Sequence, residues 1–135
     1  MTEPIGNVRF EKRINRAIEM AEIGKFSQAV RLLRALAVDF PKAGSVRAHL
    51  AWYLLELGRY KDALQQSRRA IILSPKSELV SLIHFRALLG GAGQSPRRKV
   101  GKYIKALDEM KRFLTIRPSE VYSKMIKEWE TGEKK

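Results

Sequence analysis

Residues 23–41 read IGKFSQAVRLLRALAVDFP, and residues 57–75 read LGRYKDALQQSRRAIILSP. Gly24, Phe26, Ala29 and Pro41 in the first segment return 34 residues later as Gly58, Tyr60, Ala63 and Pro75 in the second. A third copy, GKYIKALDEMKRFLTIRP, places Gly101, Tyr103, Ala106 and Pro118 a further 43 residues on. The glycine-to-proline interval is 17 residues in all three copies. The proline-to-glycine interval is 17 residues after Pro41 but 26 after Pro75, so nine extra residues enter at one place only. A fixed period of this length marks a repeat architecture, and it governs how every other residue is read.

Each unit suits two antiparallel helices. The glycine permits the turn after the first helix, the aromatic packs into the pair, the small alanine sits where the helices cross, and the proline ends the second helix. In the second unit Val46, Leu50, Tyr53, Leu54 and Leu57 recur at helical spacing, as do Ala63, Leu64, Ala70, Ile71 and Leu73. One pair cannot cover both stripes, and stacking buries them.

The pattern resembles the tetratricopeptide repeat, over roughly residues 10–118 and most clearly in SVRAHLAWYLLELGRYKDALQQSRRAIILSPKS. Arg13 and Arg16 stand where that family places apolar residues, and Leu36 and Phe113 replace its second small alanine. The resemblance implies an all-α fold, a right-handed superhelical stack of three antiparallel helix pairs at about 10–43, 44–77 and 78–118, forming a single domain. Behind Pro118, Ser119 can cap a last helix to about residue 130, with Val121, Met125, Ile126 and Trp129 on one side. That helix is expected to cover the open end of the stack, with a homodimer through its Trp129 and Met125 face as the alternative.

The nine extra residues fall in LLGGAGQSPRRKVGKY, residues 88–103, near positions 90–100. A phosphate loop would need glycine at Pro96 and Ser or Thr at Tyr103, and a dinucleotide fingerprint would also need glycine at Pro96. Both motifs fail. The stretch reads as an enlarged turn over GGAGQSP, with RRKVGKYIK leading into helix. Its cations Arg97, Arg98, Lys99, Lys102 and Lys105 could contact an anion, and Ser95-Pro96 before basic residues is similar to minor-groove-binding motifs of chromatin tails.

Charge supports anionic partners without defining a site. The 27 Lys and Arg against 14 Asp and Glu leave a formal +13, spread as +3 over residues 1–43, +4 over 44–77 and +6 over 78–135. The chain has no cysteine, which excludes disulfides, thiolate metal sites and thiol nucleophiles. His49 and His84 have no carboxylate or second histidine three or four residues away, and read as packing residues. There is no G-x-S-x-G elbow, and neither metal nor cofactor is expected. No apolar run approaches the roughly 18 residues of a membrane span, and a cytoplasmic protein is expected.

In the family the resemblance names, the first helix of each pair lines a concave groove, whose inward positions here include Ile14, Ile18, Trp52, Leu55, Leu82 and Arg86. Relatives that hold the C-terminal tails of heat-shock chaperones carry lysine, asparagine and arginine there, whereas this chain keeps only Arg86. A mainly apolar groove anchored by Trp52 suits an amphipathic helix or hydrophobic peptide. The expected role is a non-enzymatic adaptor or small dedicated chaperone. The second choice is nucleic-acid or anionic-surface binding through the basic surface and residues 97–105.

Overall fold

The computed structural model describes residues 8–90 and 96–131, the side chains of residues 96–99 excepted. Among the described residues seven α-helices follow in order: α1 (Val8–Glu22), α2 (Phe26–Asp39), α3 (Gly44–Glu56), α4 (Tyr60–Leu73), α5 (Glu78–Leu89), α6 (Pro96–Ile116) and α7 (Glu120–Thr131). They pack as the pairs α1–α2, α3–α4 and α5–α6, and each pair rests on the next.

The repeated glycines end the first helices of two pairs. Gly24 and Gly58 have φ of 83° and 75°, a left-handed backbone that glycine adopts without strain. Lys25 N–H donates to Met20 O at 2.8 Å and Arg59 N–H to Leu54 O at 2.9 Å, so both ends are Schellman closures. At the other edge, Ala43 N–H donates to Phe40 O and Ser77 N–H to Ser74 O, each at 3.2 Å, around turns that carry Pro41 and Pro75. Ala29, Ala63 and Ala106 are wholly buried where the paired helices cross.

The third unit departs from this plan. Gly101 is not a turn residue: α6 starts at Pro96, so the helix runs seven residues ahead of Tyr103, the counterpart of the first residues of α2 and α4. Seven of the nine extra residues have become about two additional helical turns, and residues 91–95 of the connection lie outside the described residues. Two of the repeat aromatics also differ from expectation. Phe26 lies 6.0 Å from Tyr53, centroid to centroid, inside its pair, but Tyr60 and Tyr103 are each 44% exposed.

Three apolar clusters are contiguous along the stack. The first joins α1 to α4 around Leu33, Leu36, Leu50 and Leu54, with Phe10 set edge-on to Phe40 at 4.8 Å. The second links Ala48, Ala51 and Ala70 to Val80 and Ile83. The last brings Phe85, Met110 and Phe113 against Tyr122 of α7. Phe113 and Leu36, which stand where the resemblance expects a small residue, are buried core residues. Arg13, also a departure, reaches across to Asp39 at 2.6 Å.

The final helix attaches by a face rotated from the one its sequence suggests, which keeps Met125 and Ile126 and leaves out Val121 and Trp129. Ser119 Oγ accepts from Tyr122 N–H at 3.2 Å and caps α7, but α7 follows Pro118 one residue sooner than α3 follows Pro41 or α5 follows Pro75. One residue is about 100° of helix rotation. Tyr122 is consequently buried, Met125 and Ile126 are half-buried beside it, and Val121 and Trp129 are exposed.

Candidate functional site

Successive first helices touch, α1 to α3 and α3 to α5, whereas successive second helices have no comparable contact among the described residues. The first helices therefore lie on the inside of the curve and present its concave face. The six groove residues expected from sequence fall in distinct environments on that layer. Ile14 is buried, with 7% of its surface exposed, and belongs to the first apolar cluster. It offers little surface to a partner, because α1 turns this side into that cluster.

Ile18, Trp52 and Leu55 are half-buried against the same cluster, and Leu82 is half-buried against the terminal one. The Trp52 ring lies 6.1 Å from His49 and 5.6 Å from Tyr53, and it also touches the second cluster. Trp52 thus bridges two cores and keeps one side open. Leu55 and Arg86 line a groove of about 420 Å³ with Glu56, Tyr60, Leu89 and Gly90. Across this groove Arg86 faces Glu56 at 3.5 Å.

The five residues singled out for anion contact lie along the added turns of α6 and just beyond them. Arg97, Arg98 and Lys99 are in its first turn, and their side chains lie outside the described residues. Lys102 is half-buried, with its ammonium donating to Gly90 O at 2.6 Å, and Lys105 is exposed. Charge is segregated between the layers. The first helices α1, α3 and α5 carry six Lys and Arg against five Asp and Glu, whereas α2, α4 and α6 carry twelve against four. Arg34, Arg68 and Lys111 occupy one repeat position on the outer layer, and all three are exposed.

Sequence reading missed two buried polar groupings. His84 Nδ1 and Ser67 Oγ share a hydrogen bond at 2.7 Å, and Ser67 Oγ also lies 3.1 Å from Leu64 O. Burial holds His84 below its ordinary pKa, opposed by Glu109 and assisted by Arg68 and Arg112. The pair has the spacing of a nucleophile and its base, but Ser67 has no exposed surface to offer a substrate. Its role is to satisfy polar groups between α4 and α5.

The other grouping ties α5, α6 and α7 together. Ser81 Oγ donates to Glu109 Oε2 at 2.7 Å and lies 2.7 Å from Tyr122 Oη. Since the serine proton goes to the carboxylate, the tyrosine hydroxyl donates to serine. Arg112 grips Glu109 with two donors at 2.6 and 2.8 Å and reaches Pro75 O at 3.0 Å. No buried side-chain polar atom is left without a partner among the described residues. The only signal in the sequence was polar residues within apolar helix faces, which names no partner.

Among the described residues there is no group of His, Asp and Glu that could hold a metal ion, and no helix long and apolar enough to cross a membrane.

The sequence matches no protein-family model and no curated protein. Solved structures do match. The second tetratricopeptide-repeat domain of Spaghetti (RPAP3), bound to the HSP90 peptide SRMEEVD, superposes with a TM-score of 0.66 at 16% identity, over 82% of this chain and 94% of that one. This chain has a tetratricopeptide-repeat-like fold. A mutant of MamA is similar as well, with a TM-score of 0.63 at 20% identity, over 86% of this chain and 78% of that one. At these identities the tetratricopeptide-like likeness is one of architecture: the stacking of paired helices is shared, while most of the groove-lining residues are free to differ.

Proposed function

We propose that this tetratricopeptide-like chain is a non-enzymatic protein-interaction module, an adaptor or small dedicated chaperone, that holds an amphipathic helix or apolar peptide of a partner protein on its concave face. The supporting observation is the half-buried apolar strip of Ile18, Trp52, Leu55 and Leu82 on the inner helix layer, which is close to electroneutral in a strongly basic protein. An aromatic ring with one side packed and one side open is the usual form of a binding anchor. The RPAP3 domain is bound to a peptide with an acidic end, SRMEEVD. In this chain the groove's Arg86 already faces Glu56, which favours an apolar segment over an acidic tail.

The second reading is a nucleic acid or anionic surface held by the outer layer, and the charge segregation is the observation that favours it. One experiment separates the two. Partner capture is run at ~0.3 M salt with nuclease, where exposed charges are largely screened. A protein retained by wild type and lost by Trp52→Ala and Leu55→Lys, both with folded circular dichroism spectra, is the expected result. Retention that disappears with salt and nuclease, and with charge reversal at Arg97, Arg98 and Lys99, refutes the groove and supports the second reading.

A further inference from the structure

Where α4 begins, α5 ends and the added turns of α6 pass them, there is an open cavity of about 810 Å³. Arg59 and Lys61 enter its wall from the start of α4, and Lys102 and Lys105 from α6, against a single carboxylate, Asp62. Lys102 is anchored to Gly90 O, which fixes its ammonium against the end of α5. Arg59, Lys61 and Lys105 have no ion-pair partner among the described residues, and Asp62 lies at 4.0 Å from Arg34, a residue outside the cavity wall.

The backbone adds to this positive field. The first intrahelical bond of α4 runs from Ala63 N–H to Arg59 O at 3.0 Å, so the amides of Tyr60, Lys61 and Asp62 precede it, and no side chain caps them. The positive end of the helix dipole points the same way as the four cations. On the facing wall α6 contributes Gly101, Lys102 and Lys105 and no carboxylate. With Asp62 the one carboxylate against four cations, the wall keeps an excess of positive charge that a bound anion would relieve.

We infer that this cavity binds a compact polyanion with two or more phosphate groups, held by Arg59, Lys61, Lys102 and Lys105. One carboxylate or one orthophosphate would leave most of this charge uncompensated and most of the volume to water. A long nucleic acid strand would draw on the exposed outer-layer cations, such as Arg34, Arg68 and Lys111, as much as on the cavity. The site stands apart from the proposed groove, with which it shares only Tyr60 and Gly90 as a common wall.

Isothermal titration calorimetry of the full chain with inorganic tripolyphosphate, at about 0.15 M salt, tests the site. Saturable one-to-one binding is expected, weakened at least about tenfold in the Lys61→Ala/Lys105→Ala double variant through loss of two charge-assisted contacts. The Arg68→Ala/Lys111→Ala variant removes equal charge from the outer face and should change binding by less than about twofold. All four side chains are exposed, so both variants stay folded. A parallel titration with a nucleoside triphosphate distinguishes the sources, and tighter binding of either ligand identifies the one the cavity prefers. No saturable binding, or equal weakening in both variants, overturns the inference. So does a short single-stranded oligonucleotide that binds more tightly and is weakened equally by both variants, because net charge alone then attracts the ligand.

Discussion

Tyr122→Phe removes one oxygen from a side chain with no exposed surface and leaves its ring in place against Phe85 and Phe113. The lost hydroxyl donates to Ser81, which donates in turn to Glu109. Near neutral pH the variant should therefore be less stable by about 1 kcal/mol, the net worth of one buried hydrogen bond. The same burial raises the Tyr122 pKa from 10.0 to about 12. The folded state holds the phenol proton while the unfolded chain releases it, so this group's contribution is complete below pH 10.0 and is lost as pH rises toward about 12. Two pH units correspond to about 2–3 kcal/mol, enough to cancel the advantage of the tyrosine and reverse it. Urea unfolding of both proteins from pH 7 to 11.5, followed by circular dichroism, measures the difference free of the lysines they share. A gap between tyrosine and phenylalanine that stays constant over that range refutes the shielded hydroxyl. Loss of stability as large as the roughly 3–5 kcal/mol of a Tyr122→Ala truncation would show that the ring, too, had left its seat.

Two further perturbations probe the turns and the acid limb. Gly58→Ala forces a side chain into the left-handed backbone at φ 75° and should cost about 1–2 kcal/mol, whereas Gly101→Ala, within α6 and with open space at its Cβ, should gain about 0.8–1 kcal/mol; urea midpoints of the two variants must move in opposite directions. Because burial lowers the His84 pKa, its contribution is present above about pH 6.5 and is lost as pH falls through the depressed value, against the facing charges of Glu109, Arg68 and Arg112. A His84→Gln variant should flatten stability between pH 7.5 and 5, and an unchanged slope would mean that the imidazole titrates freely.

The repeat made much of this fold readable. Ala29, Ala63 and Ala106 share a position because three helix crossings leave room for a methyl group only, and the glycine-to-proline interval preserved that geometry in all three units. Periodicity reports which residues share a face, however, and not how far a helix extends. The glycine of the third copy thus reads as a turn, although Pro96, which supplies a fixed φ suited to a first helical position, starts the helix earlier. The stripe on α7 is only partly the buried one for a related reason: a turn one residue shorter rotates the helix, so that Tyr122 joins Met125 and Ile126 on the core side and Trp129 does not. The candidate groove was legible as a layer but not residue by residue. Ile14 and Ile18 are one helical turn apart, yet one is enclosed by Phe10, Phe40 and their neighbours and the other keeps a free side. The Ser81, Glu109 and Tyr122 network joins residues 28 and 41 positions apart, a separation that local pattern cannot connect.

The added turns of α6 also give the molecule a shape. Seven helical residues at about 1.5 Å each carry its start roughly 10 Å past the level at which α2 and α4 begin. The edge of the stack that holds the turns at Gly24 and Gly58 is therefore stepped, not level. A broad, flat body approaching that edge meets the tip of α6 first and stands off from the other two turns, so it touches at a point where an even edge would have allowed a line.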